Sequence, residues 1–376
     1  MATFSPADER YMSRALALAQ RGRGLTRPNP MVGAVLVRDG VILGEGYHRR
    51  AGGPHAEIEA IRSAHDSLEG ATLYVTLEPC CHHGKTPPCT DAILELRLSR
   101  VVVAMEDPNP EVQGQGIKAL KSAGLKVSVG LLGDKAARLN EAFCTYHTMG
   151  RPFVVTKWAM SLDGRTSTDL GESKWISNAV ARQHVHQMRA LMDAVMVGIG
   201  TVVRDDPELT VRLPDHEGPQ PIRIVVDGHL KIGPNARLLN DETGGKVLIA
   251  TSQQASAAKR EELRQRGHEV IVVDSANRRV DLVSLMRELH ARGIQSVLLE
   301  GGRQLAASMF AEGLVDKLVC FLAPKVLGGR LPGGPLLGWG TPTMDRALKL
   351  TDISIRQFGD NVCLEGRIQR PRPVWE

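Results

Sequence analysis

His55, Cys80 and Cys89 are residues of the types that bind zinc, and together they fall one short of the four ligands that close a structural site. One imidazole and two thiolates leave a position open, and a catalytic zinc site keeps that position for water. Glu57 follows His55 by two residues, close enough to carry protons without being a ligand. Zinc lowers the pKa of its bound water towards neutrality, so hydroxide becomes available to attack an amidine-like ring carbon. In that scheme Glu57 takes the water proton and passes it to the ring nitrogen and then to departing ammonia. The alternative is a structural zinc knot, for which Cys81, His82 or His83 offers the fourth ligand. A glutamate beside the histidine adds nothing to such a knot.

The pattern H-x-E followed by P-C-x-x-C marks zinc deaminases that act on nucleobases. This chain departs from it once: eight residues separate Cys80 from Cys89, where the short form has two. The inserted segment from His82 to Pro88 is therefore expected beside the metal. The elements that position the ligands follow from local signals. Ser5-Pro6 with Asp8 and Glu9 predicts a helix to about Arg21, with a capping hydroxyl, an early proline and acids at the positive dipole end. Met31 to Val37 and Val41 to Tyr47, joined through Asp39-Gly40, predict a β-hairpin. His55 opens the next helix. Strands at Ala71 to Thr76, Val101 to Met105 and Leu125 to Val129 alternate with helices, which makes the first half a layered α/β domain. Placing His55 and Glu57 in one helical first turn, and Cys80 and Cys89 around another helix start, brings thiolates to positive helix ends.

A chain of 376 residues is expected to form two domains, and Gly150-Arg151-Pro152 before a new strand, Phe153 to Trp158, puts the boundary near residue 150. The domains are then residues 1–150 and 151–376. Charged residues at 24% and hydrophobic ones at 42% are those of a soluble globular protein. A net charge of +5 with only 4% aromatics suits an anionic small substrate better than nucleic acid. Asp8, Glu9 and Arg10 occupy the place of a leader's apolar core, and no apolar run is long enough to span a bilayer, so a cytoplasmic location without a membrane partner is expected. The six cysteines read as metal chemistry with free thiols in a reducing compartment.

Beyond the boundary, strands near Ala194 to Val197, Ile222 to Val226, Val247 to Ala250, Val270 to Val273 and Ser296 to Leu299 alternate with helices near Ala179 to Leu191, Leu282 to Arg292 and Gln304 to Glu312. That order predicts a second α/β domain with a mainly parallel sheet. Its chemical signal is Leu298-Leu299-Glu300-Gly301-Gly302-Arg303-Gln304-Leu305, a buried strand, paired glycines and a helix start. Glycines let the backbone approach a phosphate, the helix end attracts it, and Arg303 could meet a further phosphate charge. Tight turns account for two glycines equally well.

The string from Glu78 to Cys89, with Asn29-Pro30-Met31-Val32-Gly33 before it and Asp107-Pro108-Asn109-Pro110 after, resembles the bifunctional riboflavin-biosynthesis deaminase-reductase family. Ser161-Leu162-Asp163-Gly164-Arg165, Gly171 to Ile176 and Asp205 to Arg212 are similar to that family's reductase half, so the resemblance covers nearly the whole chain. It implies a cytidine-deaminase-like α/β/α domain followed by a dihydrofolate-reductase-like α/β domain, one zinc ion per deaminase domain, and NADPH. It also implies a phosphoribosylaminopyrimidine substrate that is deaminated and then reduced at its ribosyl group. On that resemblance Glu57 is catalytic, His55, Cys80 and Cys89 hold zinc, and Asn29, His48, His82, Lys85, Asp107 and Asn109 meet the first substrate. Ala159, Trp175, Thr201, Asp205, Gly302, Arg303, Gln304, Leu305, Ala306, Ala307 and Ser308 would face NADPH. Ser173, Arg189, Leu209, Arg212 and Glu300 would face the ribosylaminouracil phosphate, with Asp205 and Glu300 as candidate proton donors.

Two positions depart from the family pattern. Cys81 stands where serine is usual, and because neighbouring side chains diverge, Cys80 is expected to be the ligand. Gly228 stands where some relatives have a serine against the cofactor. Rival readings are a cytidine or tRNA-adenosine deaminase, which needs no second α/β domain, and a second domain that only senses a nucleotide or mediates assembly. A homo-oligomer, dimer or tetramer, is expected from paired sites and apolar strand edges.

Overall fold

The structure is a computed structural model that describes residues 3–81, 87–214, 216–241, 244–273, 279–330 and 333–369. It divides into two compact units, Met1–Gly150 and Arg151–Glu376. The first unit opens with the helix Pro6–Ala19, whose Ser5 hydroxyl accepts from the Asp8 amide while Asp8 accepts from the Ser5 amide. A five-stranded sheet follows, built from β1 (Gly33–Arg38), β2 (Val41–Tyr47), β3 (Thr72–Val75), β4 (Arg100–Val103) and β5 (Lys126–Val129). Their spatial order is β2-β1-β3-β4-β5, with β1 antiparallel to both neighbours and the rest parallel.

The sheet is covered on both faces, which is why β1 is an unbroken apolar run. Ala34 and Leu36 face a core that includes Ala56, Ala60, Ile93 and Leu120, while Val35 and Val37 face one with Met12 and Leu16. The period of two along the strand thus sorts alternate residues to the two layers. The helix Ala56–Ser63 lies tight on β2. A side chain at Gly46 would place its Cβ 2.3 Å from the Ala56 carbonyl, so only glycine permits that approach.

The second unit is a nine-stranded sheet: β6 (Phe153–Ser161), β7 (Ala194–Gly198), β8 (Ile222–Val226), β9 (Val247–Thr251), β10 (Glu269–Val272), β11 (Ser296–Glu300), β12 (Lys317–Ala323), β13 (Leu350–Phe358) and β14 (Asn361–Ile368). In the order β10-β9-β8-β7-β11-β6-β12-β14-β13, pairing is parallel through β12, and β14 and β13 add an antiparallel edge. The chain runs outward from β7 to β10 and returns to insert β11 between β7 and β6. Connections diverge there, and ligands enter open parallel sheets at the carboxyl ends of strands at such a point. β6 runs three residues beyond the expected Trp158, because it pairs with β12 along its whole second half. Among the described residues no helix is long and apolar enough to cross a membrane.

Candidate active sites

His55 is the N-cap of the helix Ala56–Ser63, and Glu57 lies in its first turn, buried. Cys89 begins the helix Cys89–Glu95, and its amide donates to the Cys80 sulfur at 3.4 Å. The ligand atoms of His55, Cys80 and Cys89 all lie within 4.8 Å of one another. His55 Nδ1 is 3.2 Å from the Cys89 sulfur and 3.4 Å from that of Cys80. The neighbouring Cys89 thiol, and after it His55, draw the Cys80 thiol down to about 4, whereas Cys80 pushes Cys89 up. One imidazole and two sulfurs converging within 4.8 Å are the donor types and the spacing that zinc takes, so these residues fit zinc. Burial pushes the Glu57 carboxyl up to about 7, which suits a group that must both take and return a proton.

Cys81 lies outside the three-residue cluster, as the divergence of neighbouring side chains requires. Cys81→Ser is therefore expected to keep one zinc per chain and Cys80→Ser to lose it, read by metal analysis of the purified variants. The reverse result would reassign the ligand.

Around the cluster, His48 Nδ1 faces the Pro54 carbonyl at 2.9 Å, so it carries the proton there and Nε2 accepts from the Asn29 amide at 3.1 Å. The His48 ring meets that of His55 edge-on at 5.6 Å. Asn29 and His48 are thereby brought to the metal-binding cluster. Asp107 and Asn109 also serve as turn residues: Asp107 accepts from the Asn109 amide at 2.8 Å and Asn109 from the Glu111 amide at 3.1 Å. His82 and Lys85 lie outside the described residues.

Glu78 was not singled out by its sequence position, yet it holds this loop. Its buried carboxylate accepts from the amides of Asp107, Gly114 and Ile117 at 3.0, 2.9 and 3.1 Å. The signal was an acid directly before Pro79-Cys80. Glu78→Ala strands three donors, at about 1–3 kcal/mol each. The expected result is at least about 3 kcal/mol lost from the first unit in denaturant unfolding, with deamination falling and reduction retained. An unchanged unfolding midpoint would contradict it.

In the second unit a cavity of about 1850 Å³ opens at the carboxyl ends of β6, β7 and β11. Every position expected in this half for cofactor or substrate lines it. Arg189 and Glu300 meet there as a buried pair, Nε to Oε1 at 2.6 Å and Nη2 to Oε2 at 3.0 Å. Arg189 is thus no helix-surface arginine. Trp175, by contrast, is 62% exposed, with the Arg182 guanidinium 4.3 Å from its ring centre, so it is no core residue. Lys157 was missed. It pairs in register with Glu300 across β6 and β11, and burial pushes its amine down. A lysine between the apolar stretches Phe153 to Val155 and Trp158 to Met160 of a central strand was the readable sign.

Gly302 (φ +80°) is the N-cap of the helix Arg303–Ala311, which has no side-chain cap. Gly301 (φ +70°) backs onto Thr201, whose hydroxyl would stand 3.1 Å from any Cβ there. Both angles are left-handed, so glycine is required by the backbone itself. An uncapped helix start behind a glycine pair, in a cavity of this size bordered by Arg204, Lys231 and Arg303, fits the phosphates of a dinucleotide. Gly228 borders the same cavity, and its carbonyl accepts from the Ser252 hydroxyl at 2.7 Å.

Comparison with known proteins bears directly on this arrangement. Residues 152–364 match the RibD C-terminal domain family, and residues 5–105 match the cytidine and deoxycytidylate deaminase zinc-binding region. The riboflavin biosynthesis protein RibD of Aquifex aeolicus is 42% identical over 95% of this chain and 97% of its own length. The chain belongs to the RibD family. RibD of Acinetobacter baumannii superposes with a TM-score of 0.85 at 36% identity, covering 97% of this chain and 99% of that one. A Thermotoga maritima structure, described as a diaminohydroxyphosphoribosylaminopyrimidine deaminase/5-amino-6-(5-phosphoribosylamino)uracil reductase, gives 0.81 at 38% identity over 96% and 99%. As a RibD-family protein, the chain is a bifunctional deaminase and reductase of riboflavin biosynthesis. It joins a cytidine-deaminase-like zinc-binding domain to a RibD reductase domain.

Proposed function

We propose that residues 1–150 hydrolytically deaminate 2,5-diamino-6-(5-phosphoribosylamino)pyrimidin-4-one, and that residues 151–376 reduce the ribosyl group of the resulting uracil to ribityl with NADPH. The observation that carries this reading is the His55, Cys80, Cys89 cluster with buried Glu57 beside it, in one chain with a basic, dinucleotide-sized cavity. When held by that cluster, zinc supplies the Lewis acidity that makes water ionise near neutral pH. Glu57 receives the water proton and returns it, first to the ring nitrogen and then to the leaving amine. Water and the amino group are consumed, and a ring carbonyl and ammonia result. Asn29, whose amide His48 orients, faces the pyrimidine edge together with the Asp107 carboxylate and the Asn109 amide.

NADPH, when bound, supplies the hydride for the imine-like carbon of the opened ribose. Arg189 keeps the Glu300 carboxylate ionised and fixed, which argues against Glu300 as the proton donor, and Arg212 meets the substrate phosphate beside Ser173 and Leu209. Gly302 and the helix start behind it hold the cofactor's phosphates, with Trp175, Thr201 and Asp205 completing its site. The reading also places the enzyme in the cytosol as a homodimer or homotetramer, for which Ile353 and Ile355, exposed on the edge strand β13, speak.

The reductase half is tested by giving the full chain the phosphoribosylaminouracil directly and following NADPH absorbance. Steady oxidation, unaffected by a zinc chelator, is expected. Binding of NADPH without oxidation would favour a sensing role instead.

A further inference from the structure

The segment Thr210 to Arg212 belongs to no strand, yet its backbone groups are held by side chains from elsewhere. The Thr210 carbonyl accepts from Arg189 Nη1 at 2.8 Å. The Val211 amide donates to Gln220 at 2.7 Å, and the Val211 carbonyl accepts from the same side chain at 3.1 Å. The Arg212 amide donates to Nδ1 of His186 at 3.2 Å. His186 sits one turn before Arg189 on the helix Ala179–Ala190, so a single helix face grips both ends of the segment.

Nδ1 of His186 is also 3.1 Å from the Thr210 carbonyl, so one nitrogen faces an acceptor and a donor at once. Only one of them can be served, according to where the proton resides. Arg189 already donates to Thr210, so the Thr210 carbonyl and the Arg212 amide are both satisfied when the His186 proton lies on Nε2 and Nδ1 accepts from Arg212. Burial, with the Arg189 and Arg212 cations beside it, outweighs Glu300 and the Thr210 carbonyl and pushes this imidazole down to about 4, which keeps it neutral.

We propose that His186 is a positioning residue for the reduction: its unprotonated Nδ1 holds the Arg212 peptide and so fixes the arm that presents Arg212 to the substrate phosphate. This rests on the reading that Arg212 meets that phosphate. The arm needs such a clasp because Leu209, which leads into it, adopts a left-handed φ of +61° and has no strand partner to define the path. The Arg212 side chain is half exposed and, among the described residues, hydrogen-bonds to its own arm, to Glu208 at 2.7 Å and Thr210 at 3.2 Å, so its place depends on where the backbone is held.

The test is steady-state reduction by the full chain at saturating NADPH, with the phosphoribosylaminouracil and with its dephosphorylated form. His186→Leu should raise KM for the phosphorylated substrate about fivefold, as the loss of one ordinary hydrogen bond implies, with kcat within about twofold. KM for the dephosphorylated form should not move. His186→Asn, which can set an acceptor oxygen where Nδ1 lies, should recover most of the loss, whereas His186→Gln, whose amide reaches the Nε2 position, should not. An equal rise for both substrates, or Asn and Gln behaving alike, would make His186 merely structural and overturn the proposal. If His186→Leu fails to fold, the Asn and Gln pair decides by the same criteria. Arg212→Ala separates the levels: an unchanged KM for the phosphorylated substrate overturns the phosphate reading and this proposal with it. A raised KM for Arg212→Ala with an unaffected His186→Leu overturns this proposal alone.

Discussion

Glu57→Gln is expected to lower deamination by at least about 10³-fold while leaving zinc content and the reduction of supplied phosphoribosylaminouracil intact. Glutamine keeps the volume of a side chain that is only 3% exposed, so packing around the helix Ala56–Ser63 is preserved. What it removes is the buried carboxyl beside the cluster, a group that can take a proton from water and return it. The carboxyl is raised to about 7 by burial, near the pH at which the enzyme must work, so neither protonation state is out of reach. The measurement is ammonia release, with bound metal determined in parallel. Deamination within tenfold of the parent would remove Glu57 from the chemistry. Loss of zinc along with activity would instead make it part of the metal site.

Arg189→Ala is expected to be the most damaging single change in the second unit. Glu300 would remain buried with its partner gone, and breaking a buried pair from one side costs about 3–5 kcal/mol. Both side chains are about a tenth exposed, and the arginine also holds the Thr210 carbonyl, so water cannot readily replace it. Thermal unfolding should show the second unit melting earlier, and reduction should be lost while deamination persists. Replacing both partners by apolar residues, Arg189→Met with Glu300→Leu, should recover much of the stability and none of the reduction. If the single variant melts like the parent, the pair is not the buried lock its geometry indicates.

How much of this was legible in the sequence differs from residue to residue for physical reasons. The His55, Cys80, Cys89 cluster was readable from residue types and spacing, and His55 and Cys89 sit at helix starts, which announce themselves locally through caps, prolines and the onset of apolar periodicity. The parallel core of the second unit was readable because strands covered on both faces are short apolar runs between helices. The edge formed by β13 and β14 was not, since β13 is exposed along nearly its whole length and carries Asp352, Ser354 and Arg356 among its apolar residues. Glu78, Lys157 and His186 escaped because their meaning lies in what tertiary contact brings to them: three amides, a glutamate on the next strand, and one peptide of a loop. Asp107 and Asn109 show the converse, since the turn that proline neighbours predicted is present whatever else those side chains do.

The central claim is that one chain performs both steps, and the most direct test is a mass spectrum of the products. Zinc-loaded protein would be incubated with the diaminopyrimidinone ribosyl phosphate and NADPH. The account predicts a product carrying both the amino-to-oxo exchange and the two added hydrogens, with only the exchange appearing when NADPH is withheld. Exchange without reduction in the presence of NADPH would contradict the role given to the second unit, and unchanged substrate would contradict the assignment as a whole.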